Sequence, residues 1–135
     1  MVELMVVVML VALVVLVSTQ IPLFTFSFWR KGMERLEMQR DANYAMIKIQ
    51  RKLRPASLTF MVEKYPDEGV VYDTLYTGED IFRLNGDNLV QNGEIVIKGG
   101  TKFIVKRNGN AIKIELTLAR EGVQTTLRTT VKPRN

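Results

Sequence analysis

Hydrophobic residues are unevenly spaced along this chain, and the first part of the sequence is almost wholly apolar. Every residue from Leu4 to Val17 is apolar, and after a short polar break a second apolar stretch reaches Trp29. A bilayer core about 30 Å thick needs about 20 mostly apolar residues in helical form. We therefore predict that residues 1–29 form the membrane-spanning half of an N-terminal helix. The stretch from Leu4 to Trp29 is called the apolar segment below.

The residues at the end of the apolar segment suit a membrane boundary. Aromatic side chains that favour the interface are followed by two cations, namely Phe24, Phe26, Phe28, Trp29, Arg30 and Lys31. A cleaved secretory signal is disfavoured, because no basic residue precedes Arg30 and bulky aromatic residues occupy the place of a cleavage site.

Two residues of this helix are unusual, and each has two explanations. Glu3 places a carboxylate at the head of the apolar run, where it needs a partner if it lies at membrane depth. Alternatively, Glu3 lies among headgroups or favours the positive end of the helix dipole. Pro22 predicts a kink or local loosening, either functional or simply tolerated. Side chains at 18–20 are placed to satisfy the carbonyls that Pro22 frees.

A helical period continues beyond the apolar segment. Apolar residues recur on one face at Ala42, Met46, Ile49 and Leu53, with Met33 and Leu36 roughly in line upstream. This stripe is typical of an amphipathic helix that packs on another element. Pro55 disfavours helical backbone at Arg54. We predict the amphipathic half of the helix over residues 30–54, so that one helix runs from about residue 2 to 54.

After Pro55 the period changes from 3.6 to 2, which predicts an antiparallel sheet head over residues 55–135. A first strand is expected at residues 58–62, with alternate residues on one face. Asn85-Gly86 predicts a tight hairpin. Gly-containing turns separate the later strands. The whole is an α+β fold in which the helical stripe covers one face of a single sheet of about five to seven strands.

Composition excludes most catalytic and metal chemistry. Cysteine and histidine are absent, which removes disulfides, thiol or imidazole catalysis, and the usual zinc and haem ligands. No P-loop or dinucleotide fingerprint is present. Oxygen-rich turns at 67–68 and 85–88 lack the ligand density of a calcium loop. We predict no enzyme activity, no cofactor and no metal site.

The chain is basic, with a formal net charge of +5. Two groups of cations stand out, Lys98, Lys102, Lys106, Arg107 and Lys113 around one predicted hairpin, and Arg128, Lys132 and Arg134 near the C-terminus. Basic stripes bind nucleic-acid phosphates without sequence preference. Lysines on edge strands also protect a sheet against aggregation. We favour protection, and nucleic acid stays the alternative partner.

The order of these features is specific. A carboxylate directly before an unbroken apolar run, VELMVVVMLVALVVL, resembles the N-terminal signature of the type IV pilin superfamily, including the minor pseudopilins of type II secretion. Residues 54–57 and the ending TTLRTTVKPRN are similar to minor pilins of the J and W kinds. Because the chain lacks cysteine, it cannot form the stapled loop of many major pilins. A minor subunit is therefore favoured.

The resemblance implies a pilin-like fold and a structural role in a pilus-like or type II secretion filament. It implies that Glu3 neutralises the terminal amine of a neighbouring subunit and thereby sets filament register, since a misplaced subunit leaves a charge unpaired at low dielectric. Pro22 would loosen the helix on extraction from the bilayer. The residues implied to pack the helix bundle are Leu4, Val7, Val8, Val11, Val14 and Val15.

The resemblance also implies location and partners. The chain would cross the bacterial inner membrane once, with its head outside the cytoplasm, and later join a periplasmic or cell-surface filament of other pilin or pseudopilin subunits. A prepilin peptidase would remove a basic leader before Val2, and the new terminus would be N-methylated. Without such a leader, cations at residues 30–40 place the head in the cytoplasm. The alternative is a single-pass membrane-anchored β-domain with a binding role in DNA uptake or adhesion.

Overall fold

A computed structural model describes residues 1–134 of the chain, which form two helices and seven strands. The helices are α1 (Val2–Leu53) and α2 (Leu58–Lys64). The strands are β1 (Thr74–Tyr76), β2 (Ile81–Asn85), β3 (Asn88–Gln91), β4 (Glu94–Lys98), β5 (Gly100–Asn108), β6 (Ala111–Arg120) and β7 (Val123–Val131). The α+β class, with a long N-terminal helix and antiparallel strands, is confirmed.

The chain divides into two compact units, residues 1–34 and the part from Arg35 onward. The first unit is the N-terminal part of α1, and its most apolar 18-residue window has no residue buried within the chain. All buried hydrophobic residues belong to the second unit, which combines the rest of α1 with α2 and the strands. Each unit is described separately below.

The predicted stripe of α1 lies in the core of the second unit. Its four residues are buried, namely Ala42, Met46, Ile49 and Leu53. Met38 and Ala45 join them on the same side of the helix and are fully buried. The upstream extension was wrong, since Met33 and Leu36 are 43% and 61% exposed. In residues 1–134, α1 first contributes to the core at Met38.

The strands form two antiparallel sheets, β1-β2-β3-β4 and β5-β6-β7, rather than the single predicted sheet. The chain passes from one to the other at Gly99 and Gly100. Gly99 has φ +84°, in the left-handed region, and a Cβ on Gly100 would lie 2.7 Å from Leu84 Cδ2. The left-handed backbone of Gly99 is one that most side chains disfavour, whereas the contact at Gly100 is with the movable end of a leucine side chain. Both sheets contribute to one core with α1.

Residues 58–64 form the short helix α2, so the strand predicted at 58–62 was wrong. Ser57 caps this helix, and its Oγ accepts a hydrogen bond from the Thr59 N–H at 3.3 Å. Met61 is fully buried, whereas Val62 is 42% exposed. One fully buried side chain in seven residues fits a short helix on the core better than a strand with alternating buried residues.

The β5–β7 sheet follows the alternating pattern closely. On the central strand β6, Ile112, Ile114 and Leu116 are buried in the core, and Lys113 and Glu115 point to the opposite, outer face. Two-residue turns join β5 to β6 and β6 to β7. The hairpin predicted at Asn85-Gly86 joins β2 to β3 and is confirmed.

A matched pair of isoleucines in α1 tests the burial of the stripe. Ile49 is fully buried and Ile47 is 50% exposed. We expect Ile49→Ala to lower the free energy of unfolding by about 2–5 kcal/mol, because it leaves a cavity. Ile47→Ala should change it by less than about 0.5 kcal/mol. Urea unfolding of the full chain in detergent micelles, followed by circular dichroism, measures both; equal losses would contradict the packing described.

Candidate functional site

The apolar segment is exposed on every side. The predicted packing residues Leu4, Val7, Val8, Val11, Val14 and Val15 lie along one face of α1 and are 57–71% exposed. Other faces are equally apolar, with Met9 and Leu13 77% and 63% exposed. Mean hydropathy reaches 2.8 over the best window, and by length and composition the helix can cross a membrane. An isolated helix that is apolar all round requires a lipid or protein environment.

The four hydroxyl side chains within the apolar segment are satisfied by the helix itself. Four hydroxyls donate to backbone carbonyls three or four residues earlier: Ser18 to Val14 at 2.7 Å, Thr19 to Leu16 at 2.9 Å, Thr25 to Ile21 at 2.9 Å and Ser27 to Phe24 at 2.8 Å. None of these hydroxyls therefore needs water. Such bonding lowers the cost of placing the segment in hydrocarbon.

Pro22 lies inside α1, which remains helical on both sides of it. Proline cannot donate to the carbonyl of Ser18, four residues before it. The hydroxyls of Ser18 and Thr19 donate to Val14 and Leu16 instead. The prediction that these two hydroxyls satisfy the carbonyl freed by Pro22 was therefore wrong, because each reaches back toward an earlier turn.

Glu3 lies in the first turn of α1, and its side chain is exposed. This position favours a carboxylate, because the helix dipole places partial positive charge at the N-terminus. No cation among residues 1–134 forms an ion pair with it. Glu3 is thus the one acidic group at the head of an apolar surface that extends over several turns.

Aromatic rings mark the other end of the apolar segment. Phe24 and Phe28 are 5.8 Å apart between ring centroids, and Phe26 and Trp29 are 6.2 Å apart. All four rings are more than 60% exposed. They form an exposed aromatic band next to Arg30, as expected for the interfacial end of a membrane helix.

A second surface is formed by the outward side chains of β5–β7, and we call it the basic face. Its charged members are Lys102, Lys106, Lys113, Glu115 and Arg128. Lys106 stands directly opposite Lys113 across the β5–β6 pair. Glu115 lies 2.7 Å from Arg128 Nε and 3.7 Å from Lys102 Nζ. These cations hold the pKa of Glu115 below its usual value.

Arg107, predicted as part of this basic cluster, is instead only 9% exposed and faces the interior. Its Nε donates to the carbonyl of Tyr65 at 2.6 Å, and Nη2 donates to that of Pro66 at 2.6 Å. Nη1 reaches the carbonyl of Gly109 at 3.1 Å and Glu68 at 3.3 Å. Arg107 therefore fastens the loop after α2 to β5 and is not available to a ligand.

Lys98 on β4 and Lys102 and Lys106 on β5 lie on edge strands, as the protective interpretation predicts. Lys113 lies on the central strand β6, and the outer edge of β5 is occupied by the segment around Tyr72. Lys98 ends β4 in the other sheet. Lys113 is the exception, because it lies on the outer face of a central strand and not on an edge strand.

Sequence reasoning missed a buried polar cluster around Asp80, which is 7% exposed. Asp80 Oδ1 accepts from Gln91 Nε2 at 2.9 Å and from Asn92 Nδ2 at 2.8 Å, and Lys52 Nζ lies 2.9 Å from Oδ2. The Lys52 contact, followed by the Gln91 amide, holds the pKa of Asp80 below its usual value. The cluster ties the C-terminal end of α1 to β2 and β3. No spacing rule links these distant residues.

The two oxygen-rich turns have structural roles. The carbonyl of Asp87 accepts from the N–H groups of Gly99 and Gly100 at 2.6 and 2.8 Å. Glu68 pairs with Arg107. In the described part of the chain no three acidic residues gather in a way that could hold a metal ion.

Comparisons of the chain with known protein families, with curated proteins and with solved structures give no match. The features that point to a function are the two exposed surfaces and the order of features along the sequence.

The Asp80 cluster makes a pH-dependent prediction. A carboxylate whose pKa is lowered on folding contributes stability above its unfolded pKa and loses it as the pH falls. We expect Asp80→Asn to lower the melting temperature at neutral pH, and the gap to wild type to close as the pH falls below the ordinary value of 3.8.

Asp67→Asn is the matched control, because Asp67 is exposed. Its difference from wild type should stay small throughout. Thermal unfolding of both variants between neutral and acidic pH measures the effect. A gap for Asp80→Asn that is independent of pH would show that the ion pair does not stabilise the fold.

Proposed function

We propose that this protein is a minor pilin or pseudopilin, a structural subunit of a type IV pilus-like or type II secretion filament. The observation that carries the proposal is a helix that is apolar on every side, headed by the single carboxylate Glu3 and continuous with a stripe that packs on antiparallel sheets. Its function is assembly, with no catalytic step.

The exposed apolar segment explains why one helix serves two environments in this proposal. In the bilayer its side chains contact lipid, and in a filament they contact the same segment of neighbouring subunits. Because both environments are apolar, transfer between them does not require exposing this surface to water. Glu3 then pairs with the terminal amine of a neighbour, and this pair is strong where the dielectric is low.

The proposal places the chain in the bacterial inner membrane as a single-pass protein, with the sheets outside the cytoplasm before assembly. Its partners are other pilin or pseudopilin subunits and a prepilin peptidase that acts on a leader. Nucleic acid is not part of the proposal, because Arg107 is buried and Glu115 neutralises part of the basic face. Lys106 and Lys113 face each other across the β5–β6 pair on that face.

Substitution of Glu3 tests the assembly role. In cells that carry the assembly machinery, we expect Glu3→Ala and Glu3→Gln to stay in the membrane fraction and to disappear from the sheared filament fraction. The loss follows because the neighbour's amine is left without its counter-charge. Glu37→Ala, an exposed acid farther along α1, should assemble normally.

Normal incorporation of Glu3→Gln, together with normal membrane insertion, would overturn the filament proposal. A membrane-anchored β-domain would then be the better account, because such a protein needs the apolar segment for anchoring but has no use for a carboxylate at Glu3.

The N-terminal peptide of the protein from its native membrane provides an independent test. Mass spectrometry should find an N-methylated terminus a residue or more upstream of Val2, with Met1 absent, because the prepilin peptidase pathway methylates the terminus that it exposes. Retention of an unmethylated Met1 in filament-competent cells would contradict processing by that pathway.

A further inference from the structure

The four outer edges of the two sheets differ in their protection. β1 has only three residues, and β4 is short, ends in Glu94 and Lys98, and pairs with β3 through a bulge. The edge of β5 is covered, since Tyr72 exchanges backbone hydrogen bonds of 2.9 and 2.8 Å with Val105. Short length, charge, bulges and covering are the usual means of blocking edge-to-edge pairing.

The edge of β7 lacks a bulge and a covering segment along its nine residues, and pairing on that side begins only beyond the strand, where Arg134 bonds to Ala56 and Leu58. It is nine residues long, VQTTLRTTV, and pairs with β6 in unbroken register. It contains no proline, glycine or lysine, and Arg128 is its one charged residue. No backbone hydrogen bond reaches its far side from any residue between 1 and 134. A long regular edge rich in threonine is therefore open to another strand.

The turn between β6 and β7 determines which backbone groups face outward. Arg120 and Val123 flank a two-residue turn in which Glu121 and Gly122 have φ of 45° and 79°, so the N–H of Val123 points toward β6. Hydrogen bonding then alternates along the strand. The residues whose N–H and C=O point away from β6 are Gln124, Thr126, Arg128 and Thr130.

The sequence of β7 is nearly palindromic about Leu127, and this symmetry matches the hydrogen-bonding phase. An antiparallel copy centred on Leu127 places Thr126 opposite Arg128 of the copy, and Gln124 opposite Thr130, so that every outward group meets an outward group. On the inner face, Leu127 meets itself. The remaining inner pairs are Thr125 with Thr129 and Val123 with Val131, which are favourable cross-strand combinations.

We propose that the β7 edge binds the β7 edge of a second copy of this chain, in antiparallel register about a two-fold axis at Leu127. The pairing joins two three-stranded sheets into one of six strands. It also explains the hydroxyl of Thr125, which is buried without a hydrogen-bond partner among the described residues. In the paired state this hydroxyl faces that of Thr129 in the other copy.

Charge does not oppose this contact. Arg128 is held by Glu115 of its own subunit at 2.7 Å, so the two-fold axis does not bring together two uncompensated cations. Leu127 and Val123 are only partly buried in the single chain, and pairing covers them further. The inference uses neither Glu3 nor the apolar segment, so it is independent of the proposed filament function.

Single cysteines test the register, because the chain has no cysteine of its own. At Leu127 the two Cα atoms would be about 4.5 Å apart in a non-hydrogen-bonded pair, within disulfide range. In the full chain in micelles with diamide as the two-electron oxidant, we expect Leu127→Cys to form a covalent dimer. Thr125→Cys alone should not, since four residues of offset separate the thiols by about 14 Å.

A mixture of Thr125→Cys and Thr129→Cys should form the mixed disulfide, because those positions face each other. Efficient dimerisation of Thr125→Cys with itself, or none from a folded Leu127→Cys, would overturn the proposal. Ile95→Cys, on the edge of β4 and 55% exposed, controls for random collision.

A second pair of variants uses the chain without any thiol. The N–H of Thr126 points outward, so Thr126→Pro removes an intermolecular donor but no β6 hydrogen bond. Both substitutions remove the 3.0 Å hydroxyl contact between Thr126 and Thr117, but Thr126→Val keeps the backbone N–H and is therefore the control. Analytical ultracentrifugation should show a dimer for wild type and Thr126→Val, and loss of that dimer for Thr126→Pro.

If Thr126→Pro and Thr126→Val dimerise equally and their melting temperatures are unchanged, the β7 edges do not pair. Any dimer would then form through another surface. The Glu3 variants separate the two proposals, since they should leave the β7 dimer intact.

Discussion

Burial of one side of α1 between Met38 and Leu53 is the interaction on which the rest of the second unit depends. Two small sheets each present one apolar face, and neither has enough strands to bury that face by itself. Ala42 and Ala45 are fully buried, and their small side chains let the helix approach closely. Polar contacts at the rim add orientation, as between Asp41 and Arg120 at 3.0 Å. The core is thus one cluster drawn from α1, α2 and both sheets.

The apolar segment, which precedes Met38 in the same helix, is exposed and needs an apolar environment outside the chain. The apolar segment contributes no residue to the core, and its hydroxyls donate hydrogen bonds to backbone carbonyls of the same helix. Its stability in an apolar medium is therefore local, since every backbone and hydroxyl bond lies within one helix. The sheet-bearing unit remains a water-facing structure with charged outer surfaces. One continuous helix thus includes both the apolar segment and the stripe that packs in the water-facing second unit.

Sequence patterns predicted the elements governed by long, regular periods. The helix to Leu53 and the strands after residue 80 follow from such runs, and so does the exposed apolar segment. The segment at 58–62 was too short for its hydrophobic period to distinguish a strand from a helix. The signal overlooked was Ser57, a helix-capping residue directly before it. The division into two sheets depends on tertiary packing, and Gly99-Gly100 marked only a turn.

Single polar residues were harder to place than elements. Arg107 was grouped with its basic neighbours in sequence, although its alternation with Phe103 and Val105 put it on the buried face. The Asp80 cluster depends on residues far apart in the chain, so no local pattern could reveal it. For Glu3, the sequence and the helix agree on its position in the first turn of α1.

The unbroken course of α1 has a mechanical consequence. Within the second unit, a pull along the axis of α1 loads the side chains between Met38 and Leu53. Those contacts, with Gln50 bonded to Thr129 at 2.6 Å and Lys52 to Asp80 at 2.9 Å, lie side by side along the helix. An axial load therefore shears them together instead of peeling them one after another. Within the second unit, the contacts of α1 therefore share a load that acts along the helix axis.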